Sequence, residues 1–299
     1  MTADHWKELA EWDRPGTCLS ELTTYRIGGS ARHALYPTST ADVAAILRCL
    51  SAAGLDWRVL GGGANVLIDD SDHSIPVVLV SSLDRIESEG GLFRVGAGVP
   101  FQGLMNTTTR AGWSGLEWLA GIPGQMGGIC AMNAGGRFGE VCDVVESIEF
   151  VTEQGVIQNL PPDAIAFHYR GTGLPKGIVT QVTLRLTEDD PVALKSQAAE
   201  ILRAKRESQP LTIPSGGCIF RNPDGIPAGQ LVEELGLKGT ASGGARISPV
   251  HGNFIVNESQ ARFSDVLSLI ETIETQAAAE RGIDLVREIK IWESVLTAD

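Results

Sequence analysis

Apolar positions along this chain recur at helical spacing in some stretches and at every second residue in others, and their order predicts a mixed α and β protein. In "STADVAAILRCLSAAG", Val43, Ile46, Leu47 and Leu50 fall on one helix face. Thr40 or Ser39 can cap that helix and Gly54 can end it. "DWRVL" then reads as a short strand, "GGGAN" as a turn, and "VLIDD" and "IPVVLV" as extended chain. "FQGLMNTTTRAGWSG" has helical spacing at Phe101, Leu104 and Met105. "VESIEFVT" and "KGIVTQVTLRLT" predict strands, the second with Ile178, Val182, Leu184 and Leu186 on one face. A mixed-charge helix, "EDDPVALKSQAAEILRAKRESQP", has Pro191 near its start and Pro210 beyond its end, and it leads into a C-terminal unit with a boundary near residue 195. That unit closes with an amphipathic helix through Val266, Leu269, Ile270 and Ile273 and then the strand "LVREIKIW".

Glycine placement changes this picture in two places. The turn Gly61, Gly62, Gly63, Ala64, Asn65 is followed by more extended chain, whereas a dinucleotide-binding Rossmann unit needs a helix directly after its glycines, and no Gly-Lys-Ser/Thr follows to make a P-loop. The segment "LAGIPGQMGGICAMNAGG" carries Gly121, Gly124, Gly127, Gly128, Gly135 and Gly136 with almost no charge. It is therefore no solvated linker. It is expected to be buried, with backbone that approaches a ligand closely and N–H groups turned toward an acceptor.

With 299 residues, of which 43% are hydrophobic, the chain exceeds what one core usually organises, so two or three subdomains are expected. The longest apolar runs are strand-sized, far short of the roughly 20 residues that span a bilayer. The start, "MTADHWKELAEWDRPG", has no basic and apolar leader, and a cytoplasmic location is expected. A net charge of -13 without any Lys/Arg run excludes nucleic acid as a partner, but it leaves open a small anion held by local cations or amides. The five cysteines form no C-x-x-C pair, which argues against disulfides and structural zinc; no metal is expected.

Three short motifs can carry chemistry, and each also has a plain reading. In "FHYRGT", Arg170 can grip a carboxylate as a fork, or it can be a surface arginine at a strand end. In "LVREIKIW", Glu288 and Lys290 leave one face of a strand as an acid and a base, or they form an ordinary ion pair. In "PSGGCIFRNP", Cys218 is either a small buried residue or a proton carrier.

Taken in order, "TTYRIGGSA", "VLGGGANVLI", "GLEWLAGIPGQMGGICAMNAG", "FHYRGT", "PSGGCIFRNP" with "AGQLVEELGLKG", "GGARISPVHGNFIVN" and "REIKIWE" resemble the UDP-N-acetylenolpyruvoylglucosamine reductase family almost end to end. The resemblance implies an α+β protein with a two-part FAD-binding unit of the vanillyl-alcohol-oxidase (PCMH) type and a C-terminal α+β substrate domain. The expected division is an N-terminal extension at 1–20, FAD-binding subdomains at 21–95 and 96–194, and the substrate domain at 195–299.

It further implies reduction of UDP-N-acetylglucosamine enolpyruvate to UDP-N-acetylmuramate for peptidoglycan, with NADPH as co-substrate and non-covalent FAD as hydride carrier. FAD would lie on Gly61, Gly62, Gly63, Ala64 and Asn65 and on Gly121, Ile122, Pro123, Gly124, Gly127 and Gly128. Arg170 would bind the substrate carboxylate and Cys218 would donate the proton, in the place where the family has a serine. Glu288 would support protonation, and Tyr169, Asn222 and Lys290 would contact substrate. Arg221 stands where lysine is common in the family. None of the three tyrosines lies in the C-terminal unit, so the chain is similar to the shorter class that lacks a tyrosine loop over the nucleotide. A monomer is expected. A flavin oxidase of the same superfamily and a flavin-binding regulator without chemistry are the competing readings.

Overall fold

Ser39 caps the first long helix of the computed structural model, Thr40–Ala52, by accepting the Asp42 backbone N–H at 3.2 Å. Val43, Ile46, Leu47 and Leu50 are buried along it, and Gly54, at φ +65°, turns the chain out of the helix. The structure describes residues 3–294. The outermost residues of the expected N-terminal extension and C-terminal domain, 1–2 and 295–299, lie outside the described residues.

By their contacts the residues form two units, one of Met1–Gly16, Arg32–Gly62 and Ile75–Arg203, the other of Thr17–Ala31, Gly63–Ser74 and Ala204–Asp299. Compactness thus follows no sequential division of the chain. The reason is strand pairing at long range: Val66–Ile68 lies parallel to Lys290–Trp292, so an early segment is built into the C-terminal unit.

In the first unit a five-stranded antiparallel sheet runs in the order Ile157–Leu160, Val145–Thr152, Gly177–Arg185, Leu92–Gly96, Ile86–Glu89. A smaller parallel sheet has Val77–Leu79 between Ala34–Leu35 and Arg58–Leu60. The Gly177–Arg185 strand departs from the expected single apolar face. Its pairing with Val145–Thr152 skips Thr180, since Gln181 opposes Glu149 and Val179 opposes Phe150. One extra residue reverses the side from which every preceding side chain leaves. Val182, Leu184 and Leu186 consequently join the cluster around Phe101, Leu116 and Leu119, while Ile178 packs in the cluster of the Thr40–Ala52 helix with Ile46, Leu47 and Val151.

In the second unit a four-stranded antiparallel sheet runs Ser215–Cys218, Phe254–Asn257, Ala245–Ile247, Ala241–Ser242, which leaves Ser215–Cys218 at an edge. The helix Phe263–Arg281 buries Val266, Leu269, Ile270 and Ile273 in a core shared with Tyr25, Ile219, Phe220 and Ile289. Tyr25 is fully buried and donates its hydroxyl to the Ile255 carbonyl at 2.8 Å, which satisfies the one polar atom it takes into that core. Among the described residues no helix is long and apolar enough to cross a membrane, and no group of three or more His, Cys, Asp and Glu side chains is placed to hold a metal ion.

Candidate active site

Gly61 and Gly62, which open the first glycine loop, meet the second loop within the first unit. A Cβ on Gly62 would lie 2.9 Å from the Gly124 Cα and 3.2 Å from the Gln125 backbone nitrogen, so the turn at 61–62 approaches the segment at 124–125 backbone to backbone. Only a residue without a side chain allows that approach. Gly127 is similarly constrained, with its Cβ position 2.7 Å from the Ala97 Cβ. Beside them the Gln125 Oε1 is buried and accepts no hydrogen bond, at 3.4 Å from the Cβ position of Gly61. A buried acceptor left unmatched is costly, and here it faces a loop built of main chain.

The glycine-rich segment is not buried throughout, as its low charge led one to expect. Residues Met126–Ala131 form a six-residue helix that buries Met126, Gly127, Ile129 and Cys130. Pro123, Gly128 and Ala131 are exposed, because a helix on the edge of a core presents one face inward and one outward.

Arg170 is not at a strand end. His168 and Gly171 exchange backbone hydrogen bonds at 3.0 and 3.1 Å, and Tyr169 and Arg170 are the two residues between them. Arg170 takes φ +57°, a left-handed conformation uncommon outside glycine and asparagine. Its guanidinium carbon lies 4.9 Å from the centroid of the Tyr169 ring, which is 45% exposed. The turn therefore presents a cation on an aromatic support toward solvent.

The second unit gathers the other candidates. Pairing of Ser215–Cys218 with Phe254–Asn257 is irregular between Ser215 and Cys218, where Gly217 takes φ +77°, and Cys218 emerges half-buried opposite Phe254. Gly216 leaves no room for a side chain, since its Cβ position lies 2.5 Å from the Tyr25 ring.

The residues after Cys218 are tied on both sides. Ile219 donates its N–H to the Asn253 carbonyl at 2.9 Å, and its own carbonyl accepts the Glu288 N–H at 2.8 Å. The Glu288 carbonyl accepts the Asn65 Nδ2 at 3.2 Å, and the Asn65 carbonyl accepts the Lys290 N–H at 3.0 Å. Ile219, next to Cys218, thus comes with Glu288, Lys290 and Asn65 from three remote stretches into one hydrogen-bonded neighbourhood of main chain and the Asn65 amide. Only Lys290–Trp292 of the expected strand "LVREIKIW" pairs in a ladder; Val286 to Ile289 bond irregularly to 219–221. Ile289 still enters the core while Lys290 is exposed.

Asn222 has its side-chain oxygen engaged by the Ala228 N–H at 3.0 Å, so its amide group is what remains to meet a ligand. Gly63, at φ +60°, has its Cβ position 2.1 Å from the Leu22 carbonyl oxygen, and its own carbonyl accepts the Thr24 N–H at 3.0 Å.

Three supporting residues escaped the sequence reading. The Thr24 hydroxyl reaches the Ser215 carbonyl at 2.6 Å and the Gly63 carbonyl at 3.2 Å, joining the glycine turn to the strand of Cys218. Asn253, 2% exposed, holds the Phe220 N–H and C=O at 2.9 and 2.8 Å. Gln125 supplies the unmatched acceptor. Gln125 and Asn253 are lone polar residues beside apolar or glycine neighbours, and that was the available signal.

Residues 31–161 match the family described as FAD binding domain, and residues 209–292 match UDP-N-acetylenolpyruvoylglucosamine reductase, C-terminal domain. A UDP-N-acetylenolpyruvoylglucosamine reductase of Deinococcus radiodurans is 38% identical over 290 residues, covering 93% of this chain and 95% of that relative. One from Heliobacterium modesticaldum is 36% identical over 277 residues, covering 91% and 88%. The crystal structure of UDP-N-acetylenolpyruvylglucosamine reductase from Thermus caldophilus superposes with a TM-score of 0.82 at 38% identity, covering 94% of this chain and 100% of that one. A berberine bridge enzyme in complex with (S)-reticuline gives a TM-score of 0.51 at 16% identity over 64% of this chain and 44% of that one, a likeness of fold alone.

Proposed function

The chain belongs to the UDP-N-acetylenolpyruvoylglucosamine reductase family, and on that ground we propose that it reduces UDP-N-acetylglucosamine enolpyruvate to UDP-N-acetylmuramate with NADPH as reductant. It is an FAD-dependent oxidoreductase of peptidoglycan precursor synthesis, with an FAD-binding unit of the vanillyl-alcohol-oxidase type and a C-terminal α+β domain. By ligand, residues 21–194 serve the cofactor and 195–299 the nucleotide substrate, although 21–31 and 63–74 group by contact with the latter. The enzyme works as a cytoplasmic monomer on small molecules.

The loops fit FAD. The Gly62 to Gly124 approach leaves main chain where a pyrophosphate needs amide donors, and the unmatched Gln125 oxygen suits one of the cofactor's N–H or O–H groups. Gly61, Gly62, Gly63, Ala64 and Asn65 with Gly121, Ile122, Pro123, Gly124, Gly127 and Gly128 would hold it without a covalent bond. When bound, it supplies hydride to the terminal carbon of the enolpyruvyl double bond.

Every other requirement of the reaction falls on this chain's side chains. As hydride adds, charge collects on the substrate carboxylate, and the Arg170 fork opposes that charge from two directions. The neighbouring carbon then needs one proton. The Cys218 thiol gives it, with Glu288 supporting protonation from the other side and Tyr169, Asn222 and Lys290 holding substrate. The observation that supports these roles best is the chain of hydrogen bonds from Ile219 through Glu288 and Asn65 to Lys290, which joins the main chain at 219, 288 and 290 to Asn65 of the glycine turn.

NADPH oxidation measured with and without the enolpyruvyl nucleotide tests the reading: consumption should depend on the nucleotide and match it mole for mole. Nucleotide-independent oxygen uptake with a sugar or alcohol would instead identify an oxidase.

The cofactor site has its own test in Gly62→Ala. Gly62 is outside the left-handed region, so the substitution probes space alone. The clash with the Gly124 backbone is expected to cost about 1–3 kcal/mol, weakening flavin affinity roughly 10- to 100-fold in a titration of apoprotein. Parental affinity would place the flavin elsewhere.

A further inference from the structure

Arg170 holds a left-handed backbone conformation that is unfavourable for a non-glycine residue, and such residues persist only where their surroundings over-determine them. The Tyr169 ring is too exposed to do this. The turn is instead closed at the His168 carbonyl, which accepts two N–H groups, one from Gly171 at 3.1 Å and one from the Asn133 side chain at 3.1 Å. Asn133 is 1% exposed and takes φ +41°, a region asparagine tolerates better than most residues. Its side-chain amide is fully used. Besides His168, Nδ2 donates to the Glu140 carboxylate at 2.7 Å and Oδ1 accepts the Cys142 N–H at 3.2 Å. A single buried amide therefore ties residues 140, 142 and 168 together.

The position of Asn133 in the chain extends that tie. It follows the helix Met126–Ala131 and its cap Met132, and the opposite end of this helix begins at Gln125, whose unmatched oxygen lies by the glycine turn. We propose that Asn133 is the positioning residue of Arg170, linking the glycine-rich cofactor loop to the turn that presents the guanidinium. The inference rests on the reading of Arg170 as the ligand of the substrate carboxylate. Asparagine suits the task because it both donates and accepts in one plane. Aspartate would lose both donors and set a second carboxylate against Glu140. Glycine would remove the amide while tolerating φ +41°.

The test uses the holoenzyme in parental, Asn133→Gly and Asn133→Asp form. In rapid mixing, flavin reduction by NADPH should stay within about twofold, while reoxidation by the enolpyruvyl nucleotide falls roughly 10- to 100-fold, the scale of a slightly misplaced catalytic group. Calorimetry with UDP-N-acetylmuramate and oxidised enzyme should show affinity reduced about tenfold. In an Arg170→Lys background, Asn133→Gly should add less than about twofold, since the fork it positions is gone.

Equal losses in both half-reactions, or the same loss in both backgrounds, would make Asn133 a fold residue and overturn the proposal. Should Asn133→Gly fail to fold, Glu140→Gln decides: it weakens the bond that orients the amide, and a loss confined to reoxidation supports the proposal while unchanged kinetics reject it. Failure of the functional reading would appear separately, as parental enzyme whose reduced flavin the nucleotide does not reoxidise.

Discussion

Cys218→Ala is expected to keep its flavin, its thermal midpoint and its reduction by NADPH, and to lose about 10²-fold or more in the step that consumes the enolpyruvyl nucleotide. The expectation follows from where the thiol sits. It is half-buried on an edge strand, after an irregular pairing in which Gly217 takes φ +77°, and it adjoins the residue whose carbonyl binds the Glu288 N–H. Little core packing depends on its sulfur. Cys218→Ser should retain substantial activity, because a hydroxyl can occupy the same position and donate the same proton. A purely structural cysteine would reverse the order, with serine harming stability and alanine mild. Stopped-flow traces of the two half-reactions, beside melting curves of both variants, separate these cases. An alanine variant that reoxidises its flavin at the parental rate would remove Cys218 from the chemistry.

Arg170→Lys should lose about 10²-fold in the same half-reaction, near 2.7 kcal/mol of transition-state stabilisation, with flavin reduction left close to parental. Lysine imposes the same backbone cost at φ +57°, so the turn is perturbed equally and the difference reports the guanidinium itself. A point charge cannot bridge both carboxylate oxygens in a fixed plane as the fork does. Rapid mixing with NADPH and then with the nucleotide gives both rates on one preparation. A parallel decline of the two would place Arg170 at the cofactor or in the fold.

Much of the architecture was legible because helices and strands announce themselves through short-range periodicity. The Thr40–Ala52 helix with its Ser39 cap and the Phe263–Arg281 helix with its inward apolar positions were readable from a few residues each. The Gly177–Arg185 strand was legible as a strand but not in its facing. A bulge is a property of the pair of strands, and nothing in "KGIVTQVTLRLT" alone marks Thr180 as the residue its partner skips. The short helix at Met126–Ala131 was hidden for another reason: its glycines are poor helix formers, and tertiary packing against residues such as Ala97 overrides their propensity.

Residue types alone set the kinds of chemistry on offer, an arginine fork, a thiol, a carboxylate and two glycine loops, and the order of the motifs identified the family. The sequence also excluded a Rossmann unit, since residue types and near neighbours suffice for that. Closure of the folded chain was needed to show that Gly62 rests on Gly124, that Arg170 turns left-handed in a turn whose His168 carbonyl accepts from Asn133, and that Glu288 is held between Ile219 and Asn65. Those facts join residues up to 223 positions apart. They are set by which strands and loops close on one another, and local periodicity, which speaks only of residues two to four apart, carries no record of that closure.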